Sequence, residues 1–431
     1  MDTTVIELAR DVTLTCVTTD KFKTGCLSAT LLTQLSRETA AQNALIPSVL
    51  RRGTLHFPDM ERLNVRLAEL YGASIDPVVR KKGEIQCLGF FSRFADDAFV
   101  PGQVGVLDSV AALLCEALLS PNLRGGLFLP EIVQSEKEKQ LDLLRSRMND
   151  KRSYALERLI ELMCFAEDYA VYHLGDEEST ELISYQKLTH RYRTLLGEAP
   201  LLFFYCGSAQ PEYLADILRN ALLTLPRAER NLDLGTEIRL NAYEPTPRTF
   251  TEELDVTQGK LAIGFRLGEF MDHFDLAALK VFNAVYGGCT TSKLFENVRE
   301  KLSLAYYASS MTDRHKGILA VSSGIEFDKL EAAKAEIFAQ LDAVRQGDIT
   351  PEELLHAKNE LISGTLAMLD SPGALEDFYL AQYIDGLDFP PEDLAEQMRA
   401  VTRDEVVAVA QSVECDAIYF LRGEEESGDV E

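Results

Sequence analysis

The chain has 431 residues, of which 46% are hydrophobic, so it can bury sizeable cores and is not a disordered protein. Its 43 Lys and Arg against 69 Asp and Glu give a formal charge of -26, which repels nucleic acid phosphates and anionic membranes. Such a surface would attract a basic peptide or a basic partner, although it also simply keeps a protein in solution. The start shows no secretory signal and no apolar run could span a bilayer, so we expect a cytoplasmic protein.

Two copies of one pattern follow each other along the chain. Each has a strand, a helical run, a hairpin whose short basic turn ends in Gly, a long helix with a Pro-Glu start, and a closing apolar strand. In the first copy these lie at residues 27–32, near 40–50, around Lys82 and Gly83, from Leu129 and from Leu201. In the second they lie at 260–265, near 274–286, around Lys316 and Gly317, from Thr350 and from Ala417.

Helices and antiparallel hairpins alternate in blocks, which predicts an α+β fold whose sheets are covered on one face by helices. A polar stretch containing several Pro residues separates the two copies. The predicted division is an N-terminal domain at 1–224, a linker at 225–249, a C-terminal domain at 250–423 and an acidic, disordered tail at 424–431.

Three stretches resemble the pitrilysin/insulinase-type (M16-type) zinc peptidases, in particular the bacterial and mitochondrial-processing-type subunits. The first is ALIPSVLRRGTLHFPDMERLNVRLAELYGASI, from Ala44, which keeps the Gly-Thr, Pro-Asp and Tyr-Gly steps of the family. The second is the long helix from Pro130. The third and most specific is YGGCTTSKLFENVREKLSLAYYASS, from Tyr286. Together with the duplication, the resemblance covers essentially residues 10–423.

The resemblance implies two homologous α/β sandwich domains, each an antiparallel sheet covered by helices, which form half of a clamshell. In this family two such halves, often on two chains, enclose a peptide between them. The implied partners are therefore a zinc-bearing homologue or a second copy, together with a peptide substrate.

Active members of the family carry HxxEH on a helix, where the two imidazoles bind zinc and the Glu acts as general base on the zinc-bound water. The resemblance places these three positions at Ala44, Pro47 and Ser48, and the third zinc ligand of the long helix at Leu143. A methyl group, a proline ring and a leucine offer no donor atom, and a serine hydroxyl is a poor zinc ligand. We therefore expect a zinc-site-deficient chain with no catalytic metal and no cofactor.

Other residues do not restore the site. Glu136 matches a supporting acid of the family, and a shift of one residue on the same helix would put Asp142 in place of Leu143, but the histidines would still be missing. The six His, none within five residues of another, are predicted to be surface or satisfied polar residues; they stand at positions 56, 173, 190, 273, 315 and 356.

A second contribution to the family's active site is an Arg followed seven residues later by a Tyr, which bind the substrate backbone and the developing oxyanion. The resemblance places this pair at Arg299 and Tyr306, within VREKLSLAY. The alternative is that Arg299 only pairs with a neighbouring acid such as Glu296 or Glu300. Strand alternation predicts that Tyr307 points to the opposite face.

Two functions of different classes follow. The first is a catalytically inactive subunit of a heterodimeric peptidase, in which Arg299 and Tyr306 face the zinc of a partner chain. The second is a peptide- or protein-binding scaffold subunit without any part in peptide cleavage, since fold alone does not fix function. A zinc peptidase that acts alone would need ligands that the sequence does not contain.

Overall fold

The computed structural model describes residues 1–102, 105–228 and 234–423, and the predicted acidic tail, 424–431, lies outside them. The strands in chain order are β1 (Asp2–Ala9), β2 (Val12–Thr18), β3 (Thr24–Gln34), β4 (Ser74–Lys82), β5 (Ile85–Ala95), β6 (Leu123–Arg124), β7 (Leu127–Phe128), β8 (Leu201–Gly207), β9 (Arg248–Glu253), β10 (Gly259–Arg266), β11 (Ala305–Asp313), β12 (Ile318–Ile325) and β13 (Glu414–Arg422).

The α-helices are α1 (Ala40–Leu50), α2 (Met60–Glu69), α3 (Val106–Leu119), α4 (Pro130–Ser146), α5 (Lys151–Met163), α6 (Glu177–Glu181), α7 (Tyr185–Glu198), α8 (Pro211–Ala221), α9 (Leu276–Asn283), α10 (Leu330–Arg345), α11 (Pro351–Ala367), α12 (Pro372–Asp385), α13 (Pro391–Ala400) and α14 (Arg403–Ser412). Two segments are π-helical, Ala284–Gly288 and Leu294–Lys301. No helix within the described ranges has both the length and the apolar character needed to cross a membrane.

Besides the short sheet of β6 and β7, the described residues form two large sheets, which repeat one strand order and confirm the predicted duplication and the α+β fold class. Sheet 1 has the order β1-β2-β8-β3-β5-β4, and sheet 2, read from its other edge, has the order β9-β13-β10-β12-β11. In each sheet one neighbouring pair is parallel, β2 with β8 and β9 with β13, and the other pairs are antiparallel. Strand β1, which sheet 2 does not repeat, adds an edge to sheet 1.

The chain forms two compact units that exchange one segment each. Unit 1 contains residues 1–145, 171–235 and 371–388, and unit 2 contains residues 146–170, 236–370 and 389–431. The exchanged segments hold the equivalent helices α5 and α12, each of which follows the long helix of its own repeat. The division 1–224 and 250–423 remains a prediction about independently folding domains. Strand β9 begins at Arg248, inside the predicted linker 225–249.

Both sheets have helices on both faces, where the sequence predicted one covered face. In unit 1, α1, α3, α7 and α8 contact one face of sheet 1, and α12 contacts β3 and β8. On β3, Leu31 belongs to the first core, whereas Leu32 packs with Leu380 of α12. Helix α5 contacts sheet 2 in the same way, with Leu159 in one core with Ala262. Strand β3 is buried along nearly its whole length, as a strand covered on both faces should be, although its sequence includes Ser28, Thr30 and Thr33.

An ion cluster holds the exchanged segment of unit 2 in place. Arg266, with a side chain that is 0% exposed, donates two hydrogen bonds to the carboxylate of Glu167, at 2.6 and 3.1 Å, and one from Nε to Asp416 at 2.9 Å. Lys316 lies 2.7 Å from Glu167, and Arg248 donates to Asp416 at 2.7 Å. Glu167 follows α5, so these bonds tie that segment to the ends of β10 and β13.

This cluster predicts an acid-sensitive fold. Burial raises the pKa of Glu167, but the hydrogen bonds and positive charges of Arg266 and Lys316 outweigh it and hold this pKa below its ordinary value of 4.5. A carboxyl whose pKa is depressed in the folded state stabilises the fold above its unfolded value, and this stabilisation is lost as the pH falls through the folded pKa. In urea denaturation between about pH 6.5 and 3.5, the unfolding free energy should fall more steeply in the native chain than in Glu167→Gln. Parallel curves would contradict the prediction.

Candidate functional site

Helix α1 carries three of the four positions at which the resemblance places zinc chemistry. Ala44, at 4% exposed, and Pro47 are buried, and Ser48 is half-buried. Pro47 stands inside the helix, where its missing amide hydrogen removes the bond to the carbonyl of Asn43. At the position where the resemblance places the general base, Pro47 can neither accept nor donate a proton.

A network of buried amides holds the start of α1 in place. The Asn43 amide donates to Gln86 Oε1 at 2.8 Å, and Gln86 donates to the carbonyl oxygens of Ala40 at 3.0 Å and His173 at 2.6 Å. Arg191 donates from Nε to Asn43 Oδ1 at 2.7 Å. Both amide side chains are 0% exposed, so each bond compensates a desolvated polar group. Hydrogen bonds thus fix the first turns of α1.

Helix α4 carries the remaining position. Leu143 is 58% exposed, and Asp142, the alternative one residue earlier, is exposed as well. The supporting acid, Glu136, is buried and is neutralised by Arg52 at 2.5 Å and Lys139 at 2.7 Å. This carboxylate therefore forms an ion pair between α4 and Arg52, two residues past the end of α1.

The residues at these four positions do not fit zinc. A tetrahedral zinc site needs three or four nitrogen, sulfur or oxygen ligands, and only the Ser48 hydroxyl is available. Within residues 1–102, 105–228 and 234–423, no group of three or more His, Cys, Asp or Glu side chains could hold a metal ion. His56, which follows α1 in the chain, is largely exposed and its Nδ1 lies 3.0 Å from Glu116. No step of peptide hydrolysis can be derived from the zinc-equivalent region of this chain.

Arg299 lies on the π-helical segment Leu294–Lys301 of unit 2. Its side chain is 41% exposed, its Nε lies 3.5 Å from Glu300, and its guanidinium lies 4.6 Å from the centroid of the Phe295 ring. The contact with Glu300 is the ion pair that the alternative interpretation expected, and at this exposure it contributes little to stability. The stacking on Phe295 orients the guanidinium while its donors stay accessible to solvent.

Tyr306 is the extra residue of a β-bulge. Ala305 of β11 pairs with Ile325 of β12, and Tyr307 pairs with Gly324, so two steps on β11 match one on β12. A bulge changes the direction in which a side chain points, and at this bulge Tyr306 is 59% exposed. Its hydroxyl donates to Glu326 at 3.3 Å. Tyr307 is half-buried where Tyr306 is exposed, but the bulge interrupts the regular alternation on which the prediction of opposite faces rested.

The structure places Arg299 and Tyr306 on one unit with accessible polar groups, and the partner of Tyr306 was not expected from the sequence. Of the described residues, Glu326 is the hydrogen-bond partner of Tyr306, and Arg299 is not bonded to it. Lys329 lies 3.1 Å from Glu326 and donates to the carbonyl oxygen of Ser303 at 3.4 Å. Glu326 and Lys329 stand just after β12, and only the strand pairing brings them near Tyr306.

Comparisons with known proteins agree with this architecture. Residues 182–361 match the family model described as the peptidase M16 inactive domain. The chain is 32% identical over 410 residues to the probable inactive metalloprotease YmfF of Bacillus subtilis, covering 95% of either protein.

Solved structures give the same result. The crystal structure of a conserved protein from Enterococcus faecalis is similar with a TM-score of 0.87 and 31% identity, over 99% of this chain and 100% of that one. The structure of a peptidase M16 inactive domain from Pseudomonas fluorescens has the same fold, with a TM-score of 0.76 at 17% identity over 98% of both chains. The chain therefore belongs to the peptidase M16 family and is an inactive homologue within it.

Proposed function

We propose that this chain is the non-catalytic subunit of a heterodimeric M16 peptidase and that it supplies Arg299 and Tyr306 to a substrate held near the zinc of a partner chain. The observation that carries the proposal is an asymmetry between the two parts of the family's active site. The zinc-equivalent positions offer one hydroxyl among four residues, whereas the Arg and the Tyr are both present, exposed and supported by neighbours.

The state of the zinc-equivalent region supports the division of labour. Glu136 is bound to Arg52 and Lys139, and Asn43 and Gln86 have complete buried partners. With these bonds α1 keeps its place in unit 1, while a partner would supply the metal chemistry.

The state of the Arg and the Tyr supports the clamping role. A guanidinium and a phenol are fixed donors suited to a peptide carbonyl and to the negative charge that grows on its oxygen during attack. Tyr306 sits on a bulge and Arg299 on a π-helical segment, two backbone irregularities that are common at functional sites. The negative charge of the chain would favour basic peptides in the shared cavity.

The experiment is co-expression with a zinc-bearing M16 homologue from the same source, followed by a peptide cleavage assay on the purified complex and on each chain alone. We expect cleavage by the complex and none by this chain alone. A stable complex whose cleavage rate equals that of the partner alone would contradict the proposal and would favour the scaffold function. A control mixture with a zinc-bearing homologue from a distant source tests whether pairing is specific.

A further inference from the structure

Two cations on unit 2, Arg152 and Lys260, lie beside the ring of Tyr307. The guanidinium carbon of Arg152, on α5, lies 4.1 Å from the centroid of the Tyr307 ring, and the Lys260 ammonium lies 5.8 Å from it. Arg152 also donates to Ser309 Oγ at 3.1 Å. Arg152 is exposed, so its remaining donors reach solvent.

The strand register builds the platform under these cations. Gly324 of β12 pairs with Tyr307 on one side and with Lys260 of β10 on the other, so the three residues form one row across three strands. A Cβ at Gly324 would lie 2.4 Å from Cε1 of Tyr307. Because glycine leaves this space open, the ring can lie across the row toward Lys260.

Among the described residues neither cation forms an ion pair, although the carboxylate of Asp150 acts on both of them electrostatically. In the described part of the chain, no carboxylate oxygen lies within 4 Å of Arg152 or Lys260, although the chain carries 69 acids and 43 Lys and Arg. The nearest acid along α5, Asp150, uses its carboxylate to accept from the amides of Arg152 and Ser153 and from the Ser153 hydroxyl. Burial, and then the charge of Arg152, lower the pKa of Lys260 by more than the negative charge of Asp150 raises it. An anion placed between the two cations would relieve their repulsion.

We propose that Arg152, Lys260 and the Tyr307 platform form an oxyanion-binding site that takes a carboxylate of a peptide ligand. The guanidinium offers a planar pair of donors that matches a carboxylate, and the ammonium adds a point charge. The amide groups at the start of α5 are not the site, because Asp150 already caps them. The choice of a peptide as the source rests on the proposed function, in which the adjacent residue, Tyr306, contacts a peptide.

The test uses the purified full chain alone and measures binding by fluorescence anisotropy and calorimetry. The probes are a short neutral labelled peptide with a free C-terminal carboxylate, the same peptide amidated, an amidated version with one internal Glu, and inorganic phosphate. The variant is Arg152→Gln with Lys260→Gln. The matched control is Lys334→Gln with Arg403→Gln, which removes the same charge elsewhere on unit 2.

We expect the peptides that carry a carboxylate to bind at least about tenfold more tightly than the amidated neutral peptide, and the site variant to lose about tenfold or more while the control does not. Added salt should weaken binding by the native chain. Phosphate binding that the site variant loses, without any carboxylate-dependent peptide binding, would support the oxyanion site and overturn the peptide as its source.

Equal binding of every probe by the native chain and the site variant would overturn the site itself. Melting temperatures of both variants establish that they fold. If the double variant does not fold, the single variant Arg152→Gln replaces it in the binding measurements. Since no partner chain is present, failure here leaves the heterodimer proposal standing. Failure of the co-expression assay would in turn leave the oxyanion site standing.

Discussion

Replacing Arg299 by Ala in the complex with a zinc-bearing partner is expected to lower kcat about 100-fold to 1,000-fold, because the side chain would donate to negative charge that develops only in the transition state. Tyr306→Phe removes one neutral donor and keeps the ring, so we expect a smaller loss of about tenfold to 100-fold. Both side chains are accessible, at 41% and 59%, so neither change should affect folding. Steady-state kinetics on a basic peptide measures both effects.

Two control variants separate this role from general effects of charge or surface change. Lys301→Ala removes a cation two residues from Arg299 that bonds only to Asn297 in the described chain, at 3.0 Å. Tyr213→Phe removes another exposed phenol that donates to a carboxylate, that of Asp108 on unit 1. Both should cleave at the native rate. If Arg299→Ala and Tyr306→Phe also cleave at that rate while the complex assembles normally, the clamping role is wrong.

Arg266→Met is expected to reduce the free energy of unfolding by about 3–5 kcal/mol, because it leaves two buried carboxylates short of a partner. Glu167 would keep only Lys316, and Asp416 would keep Arg248 and the amide of Tyr243 at 3.1 Å. Methionine fills much of the arginine volume, so the loss reports on charge and not on a cavity. Urea denaturation at neutral pH measures it.

The matched control is Arg399→Met, which makes the same substitution at a surface ion pair of unit 2. Arg399 is 57% exposed and pairs with Glu396 three residues earlier on α13. An exposed pair of this kind contributes about 0–1 kcal/mol. Equal destabilisation by the two substitutions would contradict the role assigned to the Arg266 cluster.

Much of the fold could be predicted from the sequence because its signals are local and repeated. The predicted helix near 40–50 is α1, and Thr350 caps α11 through a capping box with Glu353, as a Thr before Pro-Glu-Glu predicts. The exchange of α5 and α12 could not be predicted, since the sequence of neither helix indicates against which sheet it packs. The register that aligns Tyr307, Gly324 and Lys260 is likewise a property of strand pairing alone.

The candidate site shows the same limit. The absence of donors at Ala44, Pro47, Ser48 and Leu143 follows from residue identity and needs no coordinates. The role of Gln86 as a partner of Asn43 depends on a contact between residues 43 positions apart, which no local pattern encodes. The bulge that exposes Tyr306 could not be predicted from the sequence either, because an extra residue on one strand is recognised only from its pairing with the neighbouring strand.

The measurement that tests the central claim most directly is the zinc content of the purified chain after dialysis against zinc-containing buffer. We expect far less than one zinc per chain, because three of the four equivalent positions have no ligand atom and the fourth has a hydroxyl. One tightly held zinc per chain, removed by a chelator together with any peptide cleavage, would contradict it.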